Sequence, residues 1–385
     1  MSYFVNQLAD RDANATGLNR EASTARLKQG LRPVALAAGI AGLLLFVASI
    51  RAGGAAEVLD SVRRVGWWFV VIWSLGGIRY LLRAVVLRMC LDDPRRLRLG
   101  AAFGALVLGD AFGNVTPFGA LISEPSKVAF VRRRVGVEAA ISAVTIENLF
   151  YAASVVIVLV LGTSALFLSF DVGIALRRTA YVTLGVAIGF ALSTIVVLVR
   201  RVRMASELLA ALESLPRSHR ASAERRAEVA AIEDQIFGFT SRHPGRLPVL
   251  LALEAVYHMA GVLEIWLTLA LITGASIGLV TAFVLEFVNR TITIAFQFVP
   301  LWLGVDEAGT GLLTTALHLG ATAGIGLALV RKARVVVWTG LGLGLFFLPR
   351  SWARTSHLRL QRCARSRRSR TRPVPDPGST IPKCD

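Results

Sequence analysis

Long apolar runs constrain the fold of this chain more than any other feature. A bilayer core about 30 Å thick is crossed by roughly 20 apolar residues that rise about 1.5 Å each. Eight runs come close to that length without a charge cluster: 33–50, 67–89, 139–162, 179–199, 247–272, 279–298, 312–330 and 333–349. Because these runs are continuous rather than alternating, they predict helices and not strands. The expected fold class is therefore all-α, a polytopic helical membrane protein with about eight spans.

Composition excludes several other classes of protein. Hydrophobic residues make up 54% of the 385 residues, which is too many for an ordinary soluble domain, a disordered chain or a collagen. The formal net charge of +18 is concentrated in polar segments that flank the apolar runs, so it favours anionic lipid headgroups over nucleic acid as partner. The three cysteines have no metal-ligand spacing, so neither a disulfide framework nor a metal site is expected.

The basic segments predict domain organisation and orientation. The expected parts are a cytoplasmic N-terminal tail (1–32), a transmembrane domain (33–349) with a cytoplasmic helical hairpin inserted at 200–246, and a basic disordered tail (350–385). With eight spans, most arginine-rich connections and both termini lie on the cytoplasmic side of a bacterial inner membrane. The cluster Arg331-Lys332-Ala333-Arg334 falls on the outer side in this map.

Two apolar stretches, 99–131 and 299–311, are broken in the middle and predict re-entrant or interrupted helices. Each contains a proline, then a glycine, then a glutamate seven residues after the proline: Pro117 with Glu124, and Pro300 with Glu307. Proline removes a backbone donor, so each segment is expected to unwind and to restart as a helix near the glutamate. The pair indicates an inverted repeat of the kind found in transporters, with two kinked structural helices as the alternative.

Ionisable and polar side chains occur inside the predicted spans, where a charge at mid-bilayer costs on the order of 2.5 to 3.5 kcal/mol. They are Arg79, Arg83, Glu147, Asn148, Tyr151, Glu254, His258, Glu264, Glu286, Asn289 and Arg290. The spacing of Glu286 and Arg290 predicts an ion pair on one helix face. As a set they indicate a hydrated interior and a transport path, while the alternative is that they pair to hold helices together.

The sequence contains no enzymatic motif that would favour catalysis over transport. The sequence has no phosphate-binding loop, no HExxH and no GxSxG, and Asp92-Asp93 beside Pro94 is interpreted as surface rather than as a metal-diphosphate site. The chain is therefore expected to be a non-enzyme without a cofactor.

The block from Gly109 to Glu147, with Asn114, Thr116-Pro117, Glu124-Pro125 and Glu147-Asn148, together with Pro300, Gly304, Glu307 and Arg331, resembles a known family. This is the flippase-like transmembrane family related to the N-terminal domain of lysylphosphatidylglycerol synthase. The resemblance implies an inner-membrane protein that moves or binds a phospholipid or another lipid, and relatives are associated with aminoacylated phospholipids, hopanoid biosynthesis and polyprenyl-linked sugars. Ile122-Ser123 stands where many relatives have two glycines before the first glutamate. Aminoacyl transfer is not expected, because no segment after residue 349 is long enough for the synthase domain.

The leading hypothesis is lipid translocation or lipid headgroup binding in a hydrated cavity. Membrane lipids are the expected partners, with lipid-biosynthesis enzymes and a second copy of the chain as further candidates. The expected substrate-binding residues are Arg79, Arg83, Asn114, Thr116, Pro117, Glu124, Lys127, Glu147, Asn148, Tyr151, Glu286, Asn289, Arg290, Pro300 and Glu307. The alternatives are a membrane enzyme acting on a lipid-linked intermediate, with a carboxylate such as Glu124 as general base, or a scaffold of a lipid-modifying complex.

Overall fold

The computed structural model describes residues 44–48, 50–51, 54–116, 119–171, 173–200 and 222–347, and these residues contain helices and no strand. Eleven α-helices with defined ends occur within them. They are α1 (Ala55–Val65), α2 (Phe69–Met89), α3 (Leu99–Val115), α4 (Ala120–Val135), α5 (Val137–Ser169), α6 (Ile174–Val199), α7 (Ser222–Arg242), α8 (Leu247–Thr273), α9 (Leu279–Ala295), α10 (Val305–Ala316) and α11 (Ala321–Phe347). The predicted all-α membrane fold is confirmed. The two predicted tails, the turn of the 200–246 hairpin and Pro117 lie outside the described residues.

Three helical segments of the described chain are long and apolar enough to cross a membrane: Ala56–Met89, Val137–Ser169 and Pro244–Thr273. They contain the predicted runs 67–89, 139–162 and 247–272. Helix α3 is a shorter apolar helix. The long segments supply the charged faces described below, since each carries buried ionisable side chains within its apolar length.

One boundary of the sequence map is wrong. The apolar pattern predicts two spans, 312–330 and 333–349, separated by the cationic cluster, but α11 is one continuous helix of 27 residues that contains the whole cluster. Arg331 is only 9% exposed, and its Nη1 lies 4.0 Å from the carboxylate of Asp306 on α10. The charges are tolerated there because they are paired, so no turn is needed to bring them to water.

The first broken stretch forms a helical hairpin. Helix α3 ends at Val115, Thr116 is extended with φ −117° and ψ 142°, and α4 begins at Ala120. The two helices approach closely at glycines: a Cβ on Gly119 would lie 2.4 Å from the Gly113 carbonyl oxygen, and a Cβ on Gly109 would lie 2.5 Å from Lys127 Cγ. Helix α4 thus restarts one turn before Glu124, because the chain is already helical at Gly119.

The second broken stretch is an unwound connection between α9 and α10. It contains a short turn at Pro300–Trp302, with Leu301 and Trp302 in the left-handed region at φ 53° and 48°. Non-glycine residues rarely adopt this conformation, and such strain is concentrated at functional sites. Helix α10 then begins with Glu307 Oε2 accepting a hydrogen bond of 2.8 Å from the Gly304 N–H. The predicted restart of a helix near Glu307 is confirmed.

Helix α7 is the described arm of the predicted cytoplasmic hairpin, and it contacts the 91–96 connection. Asp92 accepts a hydrogen bond of 3.1 Å from Gln235, and His243 Nε2 lies 3.1 Å from the other Asp92 oxygen. Partial burial raises the pKa of Asp92, but the hydrogen bonds with His243 and Gln235 and the charge of Arg242 outweigh it and hold that pKa below its ordinary value. Asp92 therefore joins the 91–96 connection to α7 and to His243, directly after α7, rather than being a free surface charge.

A close helix contact joins α5 to α9. A Cβ on Gly162 would lie 2.4 Å from Phe287 Cβ and 2.5 Å from Phe287 Cγ. Phe287 is 2% exposed and belongs to the larger of the two apolar clusters, which also contains Val155, Ile265 and Leu327. A Cβ atom moves only with its backbone, so rotation of the phenylalanine ring cannot relieve this contact.

We expect Gly162→Ala to lower the free energy of unfolding by about 1–3 kcal/mol, because overpacking forces α5 and α9 apart. Thermal unfolding in one detergent measures the effect. The matched control is Gly185→Ala on α6, where an added Cβ meets no atom of the described residues within 4 Å. Equal stability of both variants would contradict the close contact.

Candidate functional site

A cavity of about 400 Å³ lies between α2, the α3–α4 hairpin, α9, the 297–302 connection and α11. Its polar lining residues are Arg79, Tyr80, Arg83, Asp110, Asn114, Thr116, Ser123, Glu124, Lys127, Asn148, Tyr151, Tyr257, Asn289, Arg290, Thr293, Gln297, Trp302, Asp306, Arg331, Lys332 and Arg334. Both broken stretches contribute to this wall, as the sequence predicted. A cavity of this size with convergent polar groups is typical of a small-molecule or headgroup site.

Cations outnumber carboxylates on the cavity surface. Among the described residues, seven lining side chains are cationic, namely Arg79, Arg83, Lys127, Arg290, Arg331, Lys332 and Arg334, and three are acidic, namely Asp110, Glu124 and Asp306. Four further carboxylates, Glu147, Glu264, Glu286 and Glu307, are at most 1% exposed and bind these cations without lining the cavity. The cavity is therefore positive on its surface and negative behind it.

Helix α2 presents two arginines four residues apart on the face that the sequence predicted. Arg83 places Nε 2.7 Å and Nη2 2.5 Å from one oxygen of Glu147 on α5. Arg79 lies 3.3 Å from Glu264 on α8 and 3.7 Å from Glu286 on α9. These ion pairs tie three helices to α2 and fix the position of both guanidinium groups.

Arg290 on α9 forms the predicted pair with Glu286. Its Nε and Nη2 donate hydrogen bonds of 3.0 and 2.8 Å to Glu286 Oε1, and its Nη1 donates one of 2.9 Å to the Tyr151 hydroxyl. Glu286 fits because α8 has Gly261 opposite it, where a Cβ would lie 2.7 Å from the carboxylate. The glycine thus makes room for the acid that holds Arg290.

The α3–α4 hairpin supplies a lysine that is buried to 1% exposure. Lys127 Nζ lies 2.9 Å from Glu124 and 3.3 Å from Asp110. The second Glu124 oxygen accepts a hydrogen bond of 2.5 Å from Asn148 on α5, and Asn114 donates one of 3.0 Å to Thr339 on α11. The hairpin is therefore joined through polar contacts to helices on both sides of the cavity.

Helix α11 supplies the cations that the sequence map placed outside the membrane. Arg334 Nε lies 2.7 Å from Glu264, and Lys332 binds Glu307. Arg331 makes the longest contact of the three, with Nη1 4.0 Å from Asp306. Of these three cations, Arg331 is therefore the one most weakly bound to a carboxylate.

The structure brings together most of the predicted site residues. Those that line the cavity are Arg79, Arg83, Asn114, Thr116, Glu124, Lys127, Asn148, Tyr151, Asn289 and Arg290. Glu147, Glu286 and Glu307, which were also predicted to bind substrate, do not line it: they lie behind the cations, where each neutralises a charge in a medium of low dielectric constant. Pro300 lies between the lining residues Val299 and Leu301, and Pro117 is outside the described residues.

Sequence reasoning missed several lining residues, chiefly Asp110, Tyr257, Arg331, Lys332 and Arg334. The sequence does contain a feature that indicates Arg331, Lys332 and Arg334. No glycine or proline interrupts residues 327–338, and the apolar pattern continues on both sides of the cationic cluster. One continuous helix would have placed these cations at membrane depth. Tyr257 adjoins His258 in a span already marked by buried charge, but nothing in the sequence indicates that it faces Arg79, which lies 4.5 Å from its ring centroid.

An all-helical membrane protein with an internal, cation-lined cavity is thus the class that the fold and site define. The family model for the lysylphosphatidylglycerol synthase TM region matches residues 34–370, and the chain belongs to this family. The resemblance seen in the sequence is confirmed, and the family relates the protein to lipid metabolism or transport. Comparisons with curated proteins and with solved structures gave no significant match.

We expect Glu147→Ala to destabilise the protein by about 3–5 kcal/mol, because it leaves Arg83 buried without its partner. The double variant Arg83→Ala with Glu147→Ala should recover part of this loss. Denaturant unfolding of the single and double variants measures the coupling. The control is Asp60→Ala, whose pair with Arg63 has side chains 65% and 70% exposed and should contribute about 0–1 kcal/mol. If the effects of Arg83→Ala and Glu147→Ala simply add in the double variant, the pairing is contradicted.

Proposed function

We propose that this chain is a lipid translocase whose cavity binds the anionic, phosphate-bearing headgroup of a membrane lipid while the acyl chains stay in the bilayer. The observation that carries the proposal is the cation-lined cavity of about 400 Å³ inside an otherwise apolar helical bundle. A phosphodiester needs several positive hydrogen-bond donors in an apolar medium, and arginine supplies them in planar pairs. Family membership supports a lipid as ligand.

The arrangement of charges also suits a ligand that must leave again. Each cavity cation except Arg331 lies within 3.5 Å of a carboxylate, so these cations are held in place before any lipid arrives. Preorganised donors lose little entropy when they bind. Because the buried carboxylates weaken the positive potential, the headgroup is attracted without being trapped.

We propose further that the protein is not an enzyme, since Glu124 is paired with Lys127 and Asn148 rather than available as a general base. With no nucleotide-binding motif in the sequence, lipid would move down its own gradient or on an ion gradient.

We place the chain as a multi-pass protein in the cytoplasmic membrane of a bacterium. The excess of arginine in the two basic tails favours the cytoplasmic side for each of them, independently of the count of eight spans, which the continuous helix α11 reduces.

We expect Arg331→Gln to weaken binding of phosphatidylglycerol by tenfold or more, because a hydrogen bond to a charged group contributes about 1.5–3 kcal/mol. Native mass spectrometry or a fluorescence titration in detergent measures the affinity, with a phosphate-free diacyl glycolipid as matched ligand. Arg63→Gln, an exposed change on α1, should bind like the wild type. If Arg331→Gln and wild type bind phosphatidylglycerol with equal affinity, Arg331 does not contact the headgroup.

We expect Glu124→Ala to abolish lipid movement in reconstituted vesicles, because it disconnects the α3–α4 hairpin from Asn148 on α5. Movement is followed by chemical quenching of an acyl-labelled phosphatidylglycerol in the outer leaflet. Glu138→Ala, an exposed change at the start of α5, is the control. Wild-type rates in Glu124→Ala would contradict the site, and a new lipid product formed by purified wild-type protein would favour the enzyme alternative.

A further inference from the structure

A second polar cluster lies directly behind the cavity wall, between α5 and α8. It consists of Ser154, Glu254 and His258, which are 5%, 1% and 4% exposed. Ser154 Oγ lies 3.1 Å from Glu254 Oε2 and 3.0 Å from His258 Nε2. Glu254 Oε1 and His258 Nδ1 are buried and have no hydrogen-bond partner in the part of the chain that the structure describes. None of these three residues lines the cavity, so the proposed headgroup site leaves them unexplained.

Each of the three close contacts of Ser154 Oγ can be a hydrogen bond only when Glu254 carries a proton. Ser154 Oγ also lies 2.8 Å from the Tyr151 carbonyl oxygen, and a hydroxyl has a single hydrogen to donate. With an ionised Glu254, the carboxylate and the carbonyl would compete for that hydrogen, and one close oxygen pair would remain without a bond. With a protonated Glu254, its O–H donates to Ser154, Ser154 donates to the carbonyl, and a His258 Nε2–H donates to the second Ser154 lone pair.

Glu254 also differs from the other buried glutamates of this region because no cation is paired with it among the described residues. Glu147, Glu264, Glu286 and Glu307 each bind a lysine or an arginine, whereas no ion pair joins Glu254 to a cation among the described residues. An unpaired charge in an apolar interior is costly, and a carboxyl group avoids the cost by keeping its proton.

The ionisable groups around the cluster link it to the cavity. They are Arg79, Arg83 and Cys90 from α2 and its end, Glu147 and Tyr151 from α5, Tyr257 from α8, and Glu286 and Arg290 from α9. Tyr151 is the direct connection: its ring stacks on His258 at 6.4 Å, its hydroxyl accepts a hydrogen bond from Arg290, and it lines the cavity. Loss of a proton from Glu254 would add negative charge behind Arg83 and Arg290 and weaken their attraction for a phosphate.

We infer that Glu254, with Ser154 and His258, is a proton-binding site that couples lipid movement to a proton gradient. The inference rests on the proposed function and assigns its energy source. Because protonation of Glu254 and anion binding in the cavity favour each other, the proton and the headgroup travel in the same direction. A lipid with one negative charge and one proton crosses without net charge, so the pH gradient drives the movement and the membrane potential does not.

The experiment uses the full chain in vesicles containing acyl-labelled phosphatidylglycerol, with the membrane potential clamped and a gradient of one pH unit imposed. Wild-type protein should shift the ratio of labelled lipid between the leaflets about tenfold towards the alkaline side, because one pH unit corresponds to a factor of ten for one proton per lipid. The sign does not depend on protein orientation, since the gradient fixes the equilibrium. In Glu254→Gln the ratio should stay near that of vesicles without a gradient, and Glu138→Gln should behave like the wild type.

Infrared spectroscopy tests the site independently of transport. Purified wild-type protein at neutral pH should show the carbonyl stretching band of a protonated carboxylic acid, which Glu254→Gln removes and Ser154→Ala shifts by deleting a hydrogen bond. Absence of this band in the wild type, or a leaflet ratio that follows the gradient equally in wild type and Glu254→Gln, overturns the inference. Wild-type protein that moves no lipid overturns the proposed function instead, and the band then still decides whether Glu254 binds a proton.

Discussion

Pairing of charge with charge inside an apolar bundle is the constraint on which this structure depends. An unpaired ion at mid-bilayer costs several kcal/mol, and a bundle with this many ionisable side chains is stable only when each finds a partner. Arg83 with Glu147, Arg79 with Glu264 and Arg290 with Glu286 meet that condition, and the first two pairs also connect α2 to α5 and α8. The same contacts that hold the helices together leave the guanidinium groups at the cavity surface.

The two broken stretches provide the space between these charges, but they do so differently. The first is a hairpin of two closely packed helices, whereas the second is an unwound connection that contains left-handed residues. What they share is chemical: Glu124 binds Lys127, and Glu307 binds Lys332, so each break places a glutamate against a lysine of the cavity wall. This likeness is in keeping with the predicted inverted repeat, which stays a prediction.

Sequence patterns predicted the helical class, both breaks, the Glu286–Arg290 pair and ten of the lining residues, because apolar length, proline and helical spacing are local features. They could not predict which side of a charged pair faces the cavity, since Arg83 and Glu147 are equally polar in a sequence and only packing buries the acid. The cationic cluster of α11 was misplaced for a related reason. A positive-inside map treats every basic cluster as solvent-exposed, whereas Lys332 and Arg334 find carboxylates that lie 25 and 70 residues earlier in the chain.

The distribution of acids decides what the cavity can recognise. If the buried glutamates lined the surface, the cavity would be close to neutral and would bind a zwitterion or a cation about as well as an anion. Because they lie behind the cations, the surface that a headgroup contacts is positive, although the seven cavity cations and the seven carboxylates on and behind that surface balance in number. Among the described residues, Glu254 is the buried glutamate of this region that has no cation in an ion pair with it. Its charge is therefore the one that a proton can remove without breaking an ion pair, which lets a single titratable group change the cavity potential while the paired framework remains intact.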